Sequence, residues 1–428
     1  MKRAFSSLAL LALLAAACGT AAGDNTPPRG VAFAADPVTL TVWAWDGVFL
    51  PSLIDAFELE NPDIRIDLRT SGFDQHHIGI LNAIEDDGTL PDVAAIERAW
   101  LPEFHDHASS FVDLGEFGAA ELADDYLHWR WNEGVFDDRI VGLPTDVGGL
   151  ALAYRADLFA NAGLPSEPAE VAERLRTWDD FLELGVEFTA AGTDATFLDS
   201  VDSLYRAQLG QETHAYVDDD GQPILDESVA NVWDFTITAV DEGLIAGLPQ
   251  FSPEWNAGFG ENTFAALAAP SWMRGHIAGI APETADLWSI VPVPNVGGNW
   301  GGSQLAAPAA GQHEEQAWRF VEFMTSVATQ LEILRESGNF PSTPALYNEP
   351  EIINVEDPFF GGENVGRIYV DSVSALPSQP TVPGQSELDR LFVDQLATYE
   401  PGDDADKLWE DTVREAFEIL EGADDRDS

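Results

Sequence analysis

The sequence predicts an α/β protein of two lobes, each built as a sheet flanked by helices. Short apolar strands alternate with amphipathic helices near the start of the chain, as in α/β folds. About 390 of the 428 residues remain beyond a signal and tether, which is too many for a single core. Glycine pairs at Gly148-Gly149 and Gly301-Gly302 allow backbone angles closed to other residues. Such joints are expected where a chain bends between two lobes.

Residues 38–68 predict a strand, a helix and a second strand. Val38–Trp45 alternates apolar residues with polar or aromatic ones, which is typical of a strand. The apolar spacing from Leu50 to Phe57 is helical, and this helix must stop before Pro62. Ile64–Leu68 alternates again. We therefore expect two parallel strands joined by a right-handed crossover.

The next elements extend this pattern towards the first crossing. A helix is predicted over about Asp74–Glu85 and a buried strand over Val93–Ile96. Ile140–Leu143 and Leu150–Tyr154 are two further apolar strands, with Gly148-Gly149 between them.

Helix signals follow the second of these strands. A short helix begins at Asp157 and ends at Gly163, with Pro165 behind it. Thr177 is expected to cap another helix, because Asp180 stands three residues later as in a capping box.

The second half of the chain predicts a return to the first lobe. Tyr216–Leu225 reads as a hairpin with an acidic turn, and its spacing does not fit a calcium loop. The glycine-rich run from Gly297 suits a second hinge. A third crossing is expected near Phe340–Pro350, before a C-terminal helical portion of the second lobe.

The stretch Ile140–Leu182 also carries a family resemblance. It contains five short motifs in a fixed order, which are Gly142-Leu143-Pro144, Tyr154, Asp157-Leu158-Phe159, Ala162-Gly163-Leu164 and Thr177-Trp178-Asp179. This ordered set resembles the family 1 extracellular solute-binding proteins of ABC importers, the maltose-binding-protein type. The resemblance extends from about Val38 to about Leu420 and implies a two-lobed periplasmic-binding-protein-like fold, with hinge crossings and a ligand cleft between the lobes.

The resemblance gives the domain boundaries that we expect. Lobe one comprises residues 37–146 with 298–343, and lobe two comprises residues 147–297 with 344–422. Residues 1–17 are expected to be a signal peptide, residues 18–36 a lipidated cysteine with a flexible tether, and residues 423–428 a disordered acidic tail.

The N-terminus predicts export. Lys2-Arg3, the apolar run Leu8–Leu14 and the small residues before Cys18 form a secretory signal, with an apolar core too short to span a bilayer. The position of Cys18 resembles a bacterial lipobox, so a lipid on Cys18 would anchor the protein to the outer face of the cell membrane. A periplasmic location is the other possibility for an exported protein. The alternative is an ordinary signal peptide cut near Cys18.

The net charge limits the classes of partner. The formal charge of −55 comes from 75 acidic residues against 20 basic ones. Repulsion on this scale is relieved by high salt, so we interpret the surface as an adaptation to a saline exterior. An acidic surface that grips a basic partner is the alternative. The sign of the charge argues against nucleic-acid binding.

The ends of the predicted strands locate the site. Open α/β sheets bind ligands beyond the carboxyl ends of their strands. This rule selects Trp45-Asp46 after the first strand and Glu97-Arg98 after the third, and it adds Asp146 at the first crossing.

A carbohydrate ligand, which the resemblance implies, needs aromatic planes against its C–H faces and polar groups around its hydroxyls. Among the 13 tryptophans we select Trp255, Trp272 and Trp300 as ligand contacts, with Asn339 and Pro341 as further candidates. We assign Trp43 to the core.

Metal and catalytic interpretations are less well supported. His76-His77 and His105-Asp106-His107 could bind a metal, but solvated histidines fit these positions better. Ser-His-Asp, P-loop and G-x-S-x-G patterns do not stand out. We expect no cofactor and no metal.

The predicted function is therefore capture of a sugar by hinge closure, followed by delivery to an ABC permease, by a monomeric protein that is not an enzyme. A polyamine or glycerophosphodiester binder of the same fold is the alternative within the class. A secreted lipoprotein glycosidase is the alternative from another class.

Overall fold

Two sheets organise the chain. The structure is a computed structural model and describes residues 36–376 and 379–424. The predictions for the signal peptide, for Cys18 and for the tether up to residue 35 therefore lie outside the described residues. The described residues from Pro37 onwards form one compact unit.

The N-terminal elements follow the predicted order. They are β1 (Val38–Trp45), α1 (Pro51–Glu60), β2 (Ile64–Ser71), α2 (Phe73–Glu85) and β3 (Val93–Glu97). β1 pairs with β2 in parallel from Val38↔Ile64 to Trp45↔Ser71, which confirms the predicted parallel pair. β1 also pairs with β3 in parallel.

A run of short elements leads to the first crossing. It comprises the 3₁₀ helices Arg98–Ser110, Leu114–Phe117 and Ala119–Asp125, then α3 (His128–Asn132), β4 (Val135–Phe136), β5 (Arg139–Ile140) and β6 (Gly142–Pro144). The single strand predicted over Ile140–Leu143 is wrong, because the chain switches partners at Val141. The N–H of Val141 donates to the carbonyl of Gly134 at 2.8 Å.

The elements of the second sheet come next. They are β7 (Leu150–Arg155), α4 (Ala156–Asn161), α5 (Pro168–Glu173), α6 (Trp178–Ala190), β8 (Thr196–Leu198), α7 (Val201–Leu209), α8 (Val229–Asp241), α9 (Pro253–Glu261), β9 (Phe264–Pro270), α10 (Met273–Ile280), the 3₁₀ helix Pro282–Thr284 and β10 (Trp288–Pro292). The capping box of α6 is confirmed, since Thr177 and Asp180 each accept the other's backbone N–H.

The chain then returns to the first sheet and ends in helices. These elements are β11 (Ser303–Ala306), α11 (Glu314–Thr325), α12 (Val327–Ser337), the 3₁₀ helix Pro344–Asn348, α13 (Pro350–Ile353), β12 (Glu356–Asp357), the 3₁₀ helix Pro358–Phe360, β13 (Glu363–Asn364), α14 (Val365–Ser374), α15 (Gln385–Thr398) and α16 (Ala405–Asp424). Helix α16 thus includes the first two residues of the predicted tail. Among the described residues, none of the helices combines the length and apolar character needed to cross a bilayer.

The central strands of each sheet are buried on both faces. The first sheet has the order β2-β1-β3-β11-β6 and the second the order β10-β7-β9-β8. In β3, Val93 and Ala95 pack in one apolar cluster, whereas Ala94 and Ile96 pack in another. This alternation places successive side chains on opposite faces, so a strand with an unbroken apolar sequence fits here.

Three crossings between the sheets lie side by side. Val147 forms a β-bridge with Phe340, and Gly149 forms one with Asn299. The N–H of Trp300 donates to the carbonyl of Gly148 at 2.9 Å. A Cβ on Gly148 would lie 1.8 Å from the carbonyl oxygen of Trp300, so the close approach of these crossings requires glycine.

Candidate functional site

Two tryptophans and a glutamate meet at Gly301, between the two sheets. A Cβ on Gly301 would lie 3.2 Å from Trp272 Nε1 and 3.7 Å from Glu97 Oε1. Trp272 Nε1 donates a hydrogen bond to the carbonyl of Trp300 at 3.0 Å. The two indole rings meet edge to face with centroids 5.7 Å apart. The structure therefore brings together three of the residues selected from the sequence.

The side chain of Glu97 is half-buried at the end of β3. Its Oε2 accepts the N–H of Ala99 at 2.7 Å, and its own N–H donates to Nε2 of His77 at 3.0 Å. Burial raises the pKa of Glu97 to about 7, because the charged form loses its hydration. The group can therefore accept or donate a hydrogen bond near neutral pH.

His77 supports this end of the sheet from behind. It is fully buried and stacks on Trp100 with centroids 5.0 Å apart. Burial lowers the pKa of His77 to about 3, so the ring is neutral. Its Nδ1–H donates to the carbonyl of Phe73 at 2.9 Å, which leaves Nε2 as the acceptor for Glu97.

Helix α7, which belongs to the part of the chain that forms the second sheet, places a charged group beside Trp300. The guanidinium of Arg206, on α7, lies 5.7 Å from the ring centroid of Trp300. Arg206 pairs with Asp202 one turn earlier and with Asp389 at 3.2 Å. Asp389 also accepts the hydroxyl of Tyr216 at 2.5 Å. The negative charge of Asp389 contributes to raising the pKa of Glu97, so the two carboxyl groups interact electrostatically although they are distant in the sequence.

Phe251 adds a third aromatic ring beside Trp272. The two ring centroids are 6.1 Å apart at an interplanar angle of 26°. Phe251 is 49% exposed and has a left-handed φ of +62°, which is strained for a bulky residue. An exposed apolar ring held in a strained backbone is a common feature of ligand sites.

Comparison with known proteins decides the family. Residues 52–358 match the family described as bacterial extracellular solute-binding protein. A crystal structure of an extracellular solute-binding protein of family 1 is 30% identical, with a TM-score of 0.79 over 90% of this chain and 100% of that one. The chain belongs to this family.

Other binding proteins resemble the chain at lower sequence identity. The arabinooligosaccharide-binding protein of Halalkalibacterium halodurans is 25% identical over 352 residues, 78% of each chain. The lactose-binding protein of Rhizobium radiobacter is 24% identical over 364 residues, 79% of this chain and 83% of that one. A binding protein from B. animalis subsp. lactis, solved with β-1,6-galactobiose, has 22% identity and a TM-score of 0.75, covering 90% and 98% of the two chains. The two-lobed fold agrees with these structures.

Two residues selected from the sequence lie in the hinge of the solute-binding protein. Asp146 Oδ1 accepts the N–H of Ser303 at 2.9 Å. Its Oδ2 accepts the amide of Asn339 at 3.1 Å. Asp146 thus ties together the three crossings, and both of its oxygens are occupied by protein donors.

Trp255 lies in the core rather than in the cleft. The residue is 0% exposed, and its Nε1 donates to Asp199 Oδ2 at 2.8 Å. The ring packs edge to face on Phe259 with centroids 4.7 Å apart. A ligand cannot reach this side chain in the observed conformation, so we remove it from the site.

The remaining selected residues lie at the carboxyl ends of β1 and β3. Arg98 pairs with Glu133 at 2.7 Å and its N–H donates to the carbonyl of Gly302 at 2.9 Å. Trp45 is half-buried and its ring lies 5.2 Å from that of His77. Asp46 is exposed.

Arg206 and Asp389 were not found by sequence reasoning. They are 183 positions apart and neither lies in a recognisable motif. The one available signal was the scarcity of basic residues, which makes any arginine within an apolar helical pattern worth examining.

The histidine interpretations need correction. His76 and His77 are 3% and 0% exposed, so the expectation that they are solvated is wrong. Within residues 36–376 and 379–424, three or more His, Cys, Asp or Glu side chains do not come together in a group that could hold a metal ion.

Proposed function

We propose that this solute-binding protein captures a carbohydrate between its lobes and delivers it to the permease of an ABC importer. The observation that carries the proposal is the meeting of Trp272, Trp300 and Glu97 at Gly301. Aromatic planes beside carboxyl and guanidinium groups suit a ligand with apolar C–H faces and a belt of hydroxyls.

Each lobe has a role in this proposal. Lobe one presents Glu97, whose carboxyl group can pair with a hydroxyl in either protonation state. Lobe two presents Trp272, and Arg206 and Asp389 stand behind Trp300. Glu97 and Arg206 would orient the hydroxyls, and closure would bury both faces of the ligand.

The names of the relatives support a carbohydrate ligand. Two relatives are named for binding arabinooligosaccharides and lactose, and one similar structure was solved with β-1,6-galactobiose. We place the lobe boundaries at residues 37–146 with 298–343 and 147–297 with 344–422, because the chain changes sheets between Pro144 and Leu150 and again between Pro292 and Ser303.

The proposed location follows from the N-terminus. A lipid on Cys18 would hold a monomeric body on the outer face of the membrane, where it meets both the solute and the permease. Mass spectrometry of membrane-extracted protein tests this part: an unmodified N-terminus or cleavage away from Cys18 would contradict it.

A thermal-shift screen in molar salt tests the ligand class. The panel contains arabinooligosaccharides, lactose, β-1,6-galactobiose and maltose, with spermidine and glycerophosphocholine as probes of the alternatives. A ligand at a hundred times its dissociation constant adds about 2.7 kcal/mol to the stability of the folded state. A shift with spermidine or glycerophosphocholine alone would overturn the carbohydrate proposal.

The same samples test the enzymatic alternative. Chromatography of each sugar after prolonged incubation should show no hydrolysis, because a binder only binds its ligand stoichiometrically. Turnover that disappears in Glu97→Gln would instead favour a glycosidase.

A further inference from the structure

A single side chain of lobe one caps a helix of lobe two. Glu103 lies in the 3₁₀ helix Arg98–Ser110, which follows β3. Gly384 is the residue that precedes α15, and its N–H donates to Oε1 of Glu103 at 2.5 Å. Gly384 has a left-handed φ of +83°, and no side chain of α15 itself caps this end.

The pairing satisfies a need of the helix. The first N–H groups of a helix lack partners and carry a partial positive charge. A carboxylate placed there makes a charge-assisted hydrogen bond, roughly twice as strong as a neutral one. In most helices this acceptor is a nearby residue of the same chain segment, but in α15 it comes from the other lobe.

The two elements joined in this way also line the cleft. The 3₁₀ helix of Glu103 begins at Arg98, immediately after Glu97, which accepts the N–H of Ala99. Helix α15 carries Asp389, which pairs with Arg206 beside Trp300. A rigid-body movement that separates the 3₁₀ helix after Glu97 from α15 would therefore also separate Glu103 from Gly384.

We propose that Glu103 is a latch that stabilises the closed arrangement of the lobes through the N-terminus of α15. The latch is a positioning element and does not touch the ligand. It acts on the open–closed equilibrium whatever solute the cleft accepts, so it stands apart from the proposed ligand class.

The direction in which Glu103→Ala shifts the open–closed equilibrium distinguishes a specific contact from general charge repulsion. The chain carries a formal charge of −55, so the lobes repel each other. Removing one negative charge from lobe one would, by charge alone, weaken this repulsion and favour closure. Only the loss of a specific contact between the lobes makes the same substitution favour opening.

Distances between spin labels on the two lobes of the full chain, without added solute and in molar salt, provide the test. Labels are placed at Glu60→Cys on lobe one and Glu242→Cys on lobe two, in a Cys18→Ser background. Glu103→Ala should lower the closed-to-open ratio on the order of tenfold, the scale of one hydrogen bond to a charged group. Glu103→Gln should fall between Glu103→Ala and the parent protein, because an amide oxygen still accepts a neutral hydrogen bond.

The matched control is Glu121→Ala, which removes the same charge from an exposed position of lobe one. It should leave the distances unchanged or shift them slightly towards closure. A Glu103→Ala distribution equal to that of the parent, an equal opening in Glu121→Ala, or a parent protein without any closed form would each overturn the latch. Circular dichroism melting of every variant confirms that folded protein is compared.

Discussion

Glu97 combines two conflicting roles at the end of β3. In the proposed site its carboxyl group must be available to the ligand, yet burial raises its pKa to about 7. Deprotonation at higher pH places a negative charge on this poorly solvated group, and the negative charge of Asp389 repels it. The residue therefore links the chemistry of the cleft to the pH dependence of stability.

The pH dependence has a definite sign. The pKa of Glu97 is higher in the folded state, at about 7, than its ordinary value of 4.5. The folded state thus binds the proton more tightly, and stability falls as pH rises between these two values. Glu97→Gln lacks this titration, so the loss of stability that Glu97 causes should be absent in the variant. The free energy of unfolding of the variant, relative to that of the wild type, should therefore increase from about pH 4.5 to about pH 7 and stay constant at higher pH.

Denaturant unfolding at a series of pH values in constant molar salt measures this difference. Glu85→Gln, on the exposed end of α2, serves as a control and should run parallel to the wild type throughout. Parallel curves for Glu97→Gln as well would show that Glu97 titrates normally. Desolvation raises the pKa of the buried Asp199 to about 6. Asp199 therefore also lowers stability as pH rises, and it does so equally in every variant.

The tryptophans of the site and of the core should respond differently to truncation. Trp272→Ala and Trp300→Ala each remove an aromatic face from the cleft, which should weaken binding of the solute found in the screen by about 1–3 kcal/mol. Trp43 packs against a cluster of lobe one, so Trp43→Ala should lower stability and leave affinity per folded molecule nearly unchanged. Calorimetric titration of the folded variants checks this, and wild-type affinity in both cleft variants would contradict the site.

At the scale of residues, local chemistry could be predicted and distant pairing could not. Glu97 was selected because it follows a predicted strand, and Trp300 because it precedes a glycine pair. Trp272 was selected because it stands in a loop-like stretch that resembles the family. Trp255 stands in an equally polar stretch, but its ring enters the core and bonds Asp199, which local sequence does not reveal. Asp389 reaches the site only through the packing of α15.

At the scale of elements, regular periodicity gave accurate bounds. β1 and the capping box of α6 agree with the sequence residue by residue. The run of 3₁₀ helices from Arg98 to Asp125 was not predicted, because its residues follow neither the helical nor the strand period. The place of β11 between β3 and β6 also depends on contacts between distant parts of the chain.

The crossing at Gly148 should tolerate no side chain. Gly148→Ala would place a Cβ 1.8 Å from the carbonyl oxygen of Trp300, so two crossings of the hinge must separate. We expect a loss of roughly 3 kcal/mol or more in the free energy of unfolding, the range of severe backbone and packing defects. Denaturant unfolding measures the change.

Gly279→Ala provides the matched control for this substitution. Gly279 lies in α10, and a Cβ there meets nothing within 4 Å. Alanine is preferred over glycine in a helix by about 1 kcal/mol, so this variant should be as stable as the wild type or more so. Equal stability of the two variants would show that the hinge accommodates a Cβ.

At the scale of the whole molecule, repulsion between acids dominates the electrostatics. The 75 acidic residues outnumber the 20 basic ones, so most carboxylates have no basic partner to pair with. Exposed pairs such as Arg414–Asp411 at 2.8 Å contribute little to stability, because solvent screens the attraction between their charges. The two-lobed arrangement must therefore hold together against a large excess of like charge.

Stability should consequently rise with monovalent salt. Salt shortens the Debye length from about 10 Å at 0.1 M to about 3 Å at 1 M, which weakens repulsion more than the few attractive pairs. The melting temperature should rise most steeply at low concentration and level off near molar salt. A general salting-out effect would instead continue to grow at higher concentration.

Near pH 4, where many carboxyl groups are protonated, the rise in melting temperature with salt should become smaller. Melting curves in sodium and potassium chloride at both pH values test this, and a flat or falling melting temperature at neutral pH would contradict adaptation of the acidic surface to salt.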